Sequence, residues 1–441
     1  MINRKDMIDL FRASSAYINA HRGKVFVVLL SGEAQADGNF SNIVYDLSLL
    51  HSLGIKLVLV QGARPQITAA LEKANMNSSY HRNLRVTESK CIEIVKQTVG
   101  ILGINIDALF STGTRNSPMH GSDIRLCRGN FVTAKPAGIH DGVDFHFTGK
   151  VRKIHATAIN KQLDQGSLVV LSNLGYSLTG EVFNLSAEEI ATEAAIALNA
   201  EKLILMIPED GVIDDEGQLI SSLSESDAKK YADKKAKLLD EESKCISQAL
   251  YASLRAYSNN VHRTHLISFK SNGALLQELF TREGNGSLVS NDSFDKLREA
   301  SISDVTGILD LIRPLENDGT LVERSRELLE NEIQNFKIIE FEGAIIACAA
   351  LYPIDFQSGE IACIAVEPNK QKNGYGEQLL ASLEKNATEL GFTKLFVLTT
   401  VASHWFIEKG FSEANLDELP DQRKKLYNMQ RKSKVFLKKL S

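Results

Sequence analysis

Gln371-Lys372-Asn373-Gly374-Tyr375-Gly376 stands between an apolar, strand-like run ending Val366-Glu367-Pro368 and a stretch carrying Leu379, Leu380 and Leu383. Leucines three and four positions apart line one face of a helix, so the hexapeptide joins a strand to a helix. Glycines two apart let a backbone approach a ligand closely. The first helical turn then presents unpaired N–H groups and the positive end of its dipole to an anion such as a pyrophosphate. The plainer alternative is a turn that needs glycine only for its own backbone. Position after a strand and before a helix favours the anion cradle.

Working outward, the C-terminal region reads as one α+β domain of about 145 residues. A short strand over Leu297–Ala300 runs into a helix opened by Ser303 and Asp304, and strands follow at Lys337–Glu340, Ala344–Leu351, Glu360–Val366 and Lys394–Thr400. The helix of the glycine loop starts near Gly374. Upstream, Gly284–Asp295 (GNGSLVSNDSFD) is rich in the residues that punctuate chains and reads as a linker. The boundary is placed near residue 290, giving domains 1–290 and 291–441.

The first domain alternates apolar runs with helical stretches. Lys24–Leu30, Lys56–Val60, Ser167–Leu171, Lys202–Ile207 and Thr264–Phe269 read as strands, with helices at Phe40–Leu53, Ser186–Leu198 and within Asp227–Tyr257. Apolar strands alternating with helices predict a mainly parallel sheet sandwiched between helix layers, an α/β architecture. Asp227–Glu242 is rich in Lys, Asp and Glu and reads as a solvated helix. Arg4–Ala20 reads as an amphipathic helix with Tyr17 near its end.

Composition narrows the class. The 441 residues are 43% hydrophobic and 24% charged, the profile of a soluble globular protein. A net charge of −5 and a pI near 6.1 favour neither nucleic acid nor an anionic membrane as partner. Five scattered cysteines form no CxxC pair, so neither a disulfide framework nor a zinc site is indicated. The start, MINRKDMIDLF, lacks the apolar core of a signal peptide, and a cytoplasmic protein is expected.

Around the glycine loop, Leu321-Val-Glu-Arg-Ser-Arg326, Gly359-Glu-Ile-Ala-Cys363, Lys394-Leu-Phe-Val-Leu-Thr-Thr400, His404-Trp-Phe-Ile-Glu-Lys-Gly-Phe411 and Gln430-Arg-Lys-Ser-Lys434 occur in order. The loop resembles the coenzyme-A loop of GCN5-related N-acetyltransferases. Together the blocks resemble the bacterial N-acetylglutamate synthase family of amino-acid N-acetyltransferases, which carry an amino-acid-kinase-like domain in front. The resemblance implies acetyl-CoA as cosubstrate and no metal. It assigns coenzyme-A contacts to Cys363, Ile364, Val366, Gln371, Lys372, Asn373, Gly374, Tyr375 and Gly376. It assigns L-glutamate contacts to Arg324, Cys363, Leu398, Arg431 and Ser433, and arginine pairs well with carboxylates. An α-ammonium must lose a proton before attacking a thioester. Glu360 is the base that the resemblance implies, through a water, and Thr399 the acid for the departing thiolate. The position of Thr399 can hold serine in relatives, and Glu323 stands where a second arginine often does.

The first domain resembles the amino-acid kinases, through Val60-Gln-Gly-Ala-Arg-Pro-Gln66, Asn83-Leu-Arg-Val-Thr87 and Gly180-Glu-Val-Phe-Asn-Leu185. Its departures speak against phosphoryl transfer. The first strand ends Leu29-Leu-Ser-Gly-Glu33, where a kinase carries a lysine, and Ala63-Arg64 replaces glycines. The resemblance instead implies an arginine-sensing pocket of Tyr17, Lys202, His265, Glu278 and Gly286, with Glu278 for the effector's guanidinium, and a homo-oligomer, a hexamer. Two other readings stay open: an acetyltransferase for another amine, and a non-catalytic sensor of arginine and coenzyme A.

Overall fold

A computed structural model describes residue 12 and residues 14–112, 119–214, 216–238, 240–261, 263–281, 284–290, 296–341, 344–371, 374–425, 427 and 433–440. The chain divides into two compact units, Met1–Asp292 and Ser293–Ser441. No helix among the described residues is long and apolar enough to cross a membrane.

The first unit is organised by an eight-stranded sheet. Its order is Ser222–Leu223, Gly286–Val289, Thr264–Ser268, Lys202–Ile207, Val25–Leu30, Lys56–Gln61, Leu168–Ser172 and Leu126–Cys127. All neighbours run parallel except Gly286–Val289 against Thr264–Ser268. Alternate residues of the central strands enter two different cores. Val27, Leu29, Val58 and Val60 pack on one face, and Phe26, Val28, Leu57 and Leu59 on the other. Burial on both faces is why these strands read as unbroken apolar runs. A four-stranded sheet sits beside it: Val182–Asn184, Leu174–Tyr176, Val132–Pro136 and Gly149–Ile154.

Two expectations need correction here, and a third is only partly covered. The supposed linker begins too early, because Gly286–Val289 is a fully buried strand paired with Thr264–Ser268. Its residues Ser287, Leu288 and Val289 bury their side chains against the sheet's neighbours, and the punctuating residues around them masked this. Asp227–Glu242 is not one helix. Glu225–Lys235 ends, and Glu241–Tyr257 starts afresh with the Asp240 carboxylate accepting from Ser243 N at 2.7 Å. Of the N-terminal amphipathic helix, Ser15–His21 is seen, and residues 1–11 and 13 lie outside the described residues.

The second unit is one seven-stranded sheet in the order Lys296–Glu299, Phe336–Phe341, Ala344–Pro353, Ser358–Val366, Lys394–Thr399, Lys434–Lys439 and Ser412–Ala414. Every pairing is antiparallel except Ser358–Val366 with Lys394–Thr399. Helix Tyr375–Glu389 covers one face through Leu379, Leu380 and Leu383, and Val305–Asn317 covers the other. The cap of the latter corrects the sequence reading. Ser301 and Asp304 close a reciprocal capping box on the turn Ile302–Asp304, one turn before the helix proper.

Candidate functional site

The parallel pair of the second unit does not run its full length. Its last paired residues are Ile361 and Val397, yet one strand continues to Val366 and the other to Thr399. Past that point the two strands part, and backbone N–H and C=O groups on both are released from the ladder. On the other side of Ser358–Val366 the register shifts. Cys348 faces Ala365 and Ala350 faces Ala362, so Cys363 and Ile364 together stand opposite Ala349. This is a β-bulge, and Cys363 takes the rare positive φ of 55° within it. The bulge turns the strand away from its parallel neighbour and opens the sheet.

A cavity of ≈ 590 Å3 occupies that opening. Ala362, Cys363, Ile364 and Val366 line it from one strand, and Leu398 and Thr399 from the other. Gln371, Gly374, Tyr375 and Gly376 close it at the start of the helix. The two glycines serve different needs. Gly374 caps the helix at φ 80°, a left-handed conformation that L side chains resist. Gly376 has an ordinary backbone, but a Cβ there would stand 3.2 Å from Trp405 Cζ2. The cavity thus combines released strand groups with a helix N-terminus, the pair of features that hold an extended chain ending in phosphates.

The residues read as catalytic are placed as follows. Thr399 lines the cavity, and its Oγ1 accepts from Ala402 N at 3.0 Å and Val401 N at 3.3 Å. Its hydroxyl hydrogen remains available for donation. Glu360 lies in the paired part of the strand, opposite Phe396, and is not among the cavity's lining residues. Arg423, from the four-residue helix Asp421–Lys424, grips it: Nε donates to Oε2 at 2.5 Å and Nη2 to Oε1 at 2.9 Å. The hydrogen bonds to Glu360 raise the Arg423 guanidinium above its ordinary value despite burial. Sequence reasoning missed Arg423 because nothing in spacing links residues 63 apart.

Of the residues read as substrate contacts, Cys363 and Leu398 line the cavity. Arg324 is half-buried and electrostatically coupled to Cys363 and Tyr352. Burial pulls its guanidinium down, and these neighbours more than restore it. Its Nη1 donates to Val322 O at 3.0 Å, and it has no ion-pair partner among the described residues. Ser433 is seen through its carbonyl, which accepts from Tyr427 Oη at 2.7 Å. Arg431, Lys372 and Asn373 lie outside the described residues.

In the first unit, Lys202, His265 and Glu278 form one buried chain. Lys202 Nζ lies 3.1 Å from His265 Nε2, and His265 Nδ1 lies 2.6 Å from Glu278 Oε1. Asn285 N donates to Glu278 Oε2 at 2.7 Å, tying in the glycine-rich turn. Burial pushes the Glu278 carboxyl up. The hydrogen bond and charge of His265, the Asn285 N–H and Lys202 outweigh it, leaving the group below its ordinary value. Gly286 is required by space, since a Cβ would meet Leu266 O at 2.6 Å. Tyr17 is buried and its ring faces His21 at 6.5 Å. His21, which the sequence reading missed, bonds Leu279 O at 3.0 Å.

Comparison with known proteins agrees with this geometry. Residues 24–265 match the model of the amino acid kinase family, and residues 306–411 that of the acetyltransferase (GNAT) family. An amino-acid acetyltransferase of Ectopseudomonas mendocina is 51% identical over 99% of this chain and 100% of its own length. One from Pseudomonas aeruginosa is 49% identical at the same coverage. The N-acetylglutamate synthase of Neisseria gonorrhoeae, solved with coenzyme A and L-arginine, is 36% identical with a TM-score of 0.81, covering 98% of this chain and 99% of that one. Its structure with coenzyme A and N-acetylglutamate has a TM-score of 0.61 at the same coverage. With both domain models matched and half the residues shared end to end, the chain belongs to the amino-acid acetyltransferase family.

Proposed function

We propose that the second unit transfers the acetyl group of acetyl-CoA to the α-amine of L-glutamate, giving N-acetylglutamate, the opening step of arginine biosynthesis. The first unit senses arginine, and the protein works as a homo-oligomer, a hexamer. The observation that carries the reading is the opened parallel pair facing a glycine-capped helix start. Released strand groups suit an extended, amide-bearing pantetheine chain, and the helix N-terminus suits its pyrophosphate. The similar protein from Neisseria gonorrhoeae was solved with coenzyme A together with arginine or N-acetylglutamate, which supports the choice of ligands.

Each step has a group to perform it. Arg324, lacking an ion-pair partner among the described residues, receives a substrate carboxylate, and Arg431 with Ser433 receives the other. Glu360 accepts the proton that leaves the α-ammonium, relayed by a water, once Arg423 yields one of its two bonds. The freed amine adds to the thioester carbonyl, and N–H groups of the bulge at Cys363–Ile364 hold the oxyanion. As the tetrahedral intermediate collapses, the C–S bond breaks, the Thr399 hydroxyl passes its proton to the departing sulfur, and the proton that the attacking nitrogen gives up restores that hydroxyl. Lys202, His265 and Glu278, with Tyr17 and Gly286, supply the effector site.

The test is thiol release from acetyl-CoA against a panel of amino acids, with and without arginine. Glutamate-dependent release altered by arginine is the expected result. Release with another amine, or binding of coenzyme A without release, would replace the assignment.

A further inference from the structure

Arg324 is held by groups that the reaction itself does not use. Its backbone N donates to Glu316 Oε1 at 2.9 Å, near the end of helix Val305–Asn317, and its Nη1 donates to Val322 O. A further anchor comes from the sheet. The guanidinium is hydrogen-bonded to the hydroxyl of Tyr352, on the strand Ala344–Pro353. That hydroxyl in turn donates to Glu332 Oε2 at 2.8 Å. Glu332 ends the short helix Arg326–Glu332, which starts just after Arg324 with Ser325 Oγ accepting from Leu328 N at 3.2 Å. Arg324, Tyr352 and Glu332 are all half-buried. The ring of Tyr352 meets that of Phe336 edge-on, with centroids 6.4 Å apart.

Register brings this relay to the site. Tyr352 stands directly opposite Glu360 in the antiparallel pair. Opposed residues project to the same face of a sheet, so the tyrosine flanks the proposed base. A phenol has one hydrogen, and its remaining capacity is for accepting. With that hydrogen committed to Glu332, only lone pairs face Arg324. Burial first, and the bond to Glu332 next, push the Tyr352 hydroxyl up, which keeps the hydrogen in place although the Arg324 charge pulls the other way. A carboxylate directly on Arg324 would occupy the fork that a substrate carboxylate needs. With a neutral phenol between them, Glu332 orients the arginine without pairing with it. Val322 O and Tyr352 engage part of the fork and leave the rest for a ligand.

We propose that Tyr352, oriented by Glu332, is a positioning residue for the amino-acid substrate: it fixes the Arg324 guanidinium in the pose that receives a substrate carboxylate. The inference rests on Arg324 being a glutamate contact. It gives Tyr352 no contact with the acetyl donor and no part in proton transfer, and Tyr352 is not among the residues lining the cavity at the opened strands. Ordering a long side chain ahead of binding removes an entropy cost that each binding event would otherwise carry. The benefit appears in affinity for glutamate and not in the chemical step.

Steady-state acetyl transfer by the full-length protein, with each substrate varied in turn, is the test. Tyr352→Phe keeps the ring and its packing on Phe336 and removes only the hydroxyl. It should raise the KM for glutamate about three- to tenfold, the scale of one ordinary hydrogen bond, with kcat and the KM for acetyl-CoA in place. Added to Arg324→Ala, the same change should cost less than about twofold more, because the group it positions is gone. Glu332→Ala frees the phenol hydrogen to turn toward Arg324 and should match Tyr352→Phe. Glu332→Gln keeps an oxygen that accepts from the phenol and should recover most of that loss. If Arg324→Ala raises the glutamate KM and Tyr352→Phe does not, the positioning role alone is overturned. If Arg324→Ala leaves the glutamate KM untouched, the substrate assignment of Arg324 and the inference fall together. A lowered kcat or a raised KM for acetyl-CoA in Tyr352→Phe, or full additivity with Arg324→Ala, also overturns the inference. Equal losses in the two Glu332 variants overturn the role of Glu332.

Discussion

Glu360 and Glu278 are carboxylates held in opposite ways by the two units. Glu360 sits in the central strand one residue before the parallel pair parts, its side chain 12% exposed, and its partner Arg423 comes from a short helix and is 22% exposed. Glu278 is shut in, with its side chain 7% exposed and that of His265 2%, and it belongs to a chain of bonds from Lys202 to Asn285 N. A partly solvated pair is inexpensive to rearrange, because water replaces what the partner gives up. A buried one is not, since removing one member strands the other. The first arrangement suits a group that must change partners in each turnover. The second suits a group that changes partners only when a ligand brings equivalent bonds with it.

The largest effect should come from the partly solvated pair. Glu360→Gln should cut turnover by roughly a hundredfold or more while leaving the KM for acetyl-CoA in place. Near wild-type turnover in a thiol-release assay would remove Glu360 from the chemistry and erase the contrast.

Arg324→Ala comes next. It should raise the KM for glutamate by about tenfold to a hundredfold, the cost of truncating a charged hydrogen bond, and leave that for acetyl-CoA unaltered. A rise confined to acetyl-CoA would reassign the residue.

Glu278→Gln sharpens the comparison from the other side. Arginine affinity by calorimetry should fall about tenfold or more, and arginine-free turnover should be retained. A variant that stays fully arginine-responsive would show that the buried chain is only structural.

The smallest effect is one of pH. The Glu278 carboxyl is lower in the folded protein than in the unfolded chain, so its contribution to stability is present above the ordinary glutamate value of 4.5. It is lost as pH falls below 4.5 and through the depressed folded value. Thermal melts of the first unit's transition should therefore drop more steeply below that pH in the wild type than in Glu278→Gln. Parallel curves would mean that the carboxyl is not held low.

Much of this protein was legible in its sequence because the signals were local. Lys202–Ile207 is a strand at the very residues where its six apolar-rich positions predict one, and the Gln371–Gly376 loop joins strand to helix as its glycines imply. The parallel sheet followed from strands apolar on both faces. The order of blocks from Leu321 to Lys434 pointed to the family, and half-identical relatives along the whole chain agree.

What the tertiary structure alone decided are relations between residues distant in sequence. Gly286–Val289 became a strand because Thr264–Ser268 offered it an edge, a choice that its linker-like neighbours concealed. The opening beyond the Ile361–Val397 pair exists because a bulge at Cys363 turns one strand away from another, and no local pattern announces where a ladder will stop. Arg423 reached Glu360, and Tyr352 came between Arg324 and Glu332, only through folding. Propensity and periodicity act within a few residues, whereas charge pairing and burial act through space, and only the folded chain sets those distances.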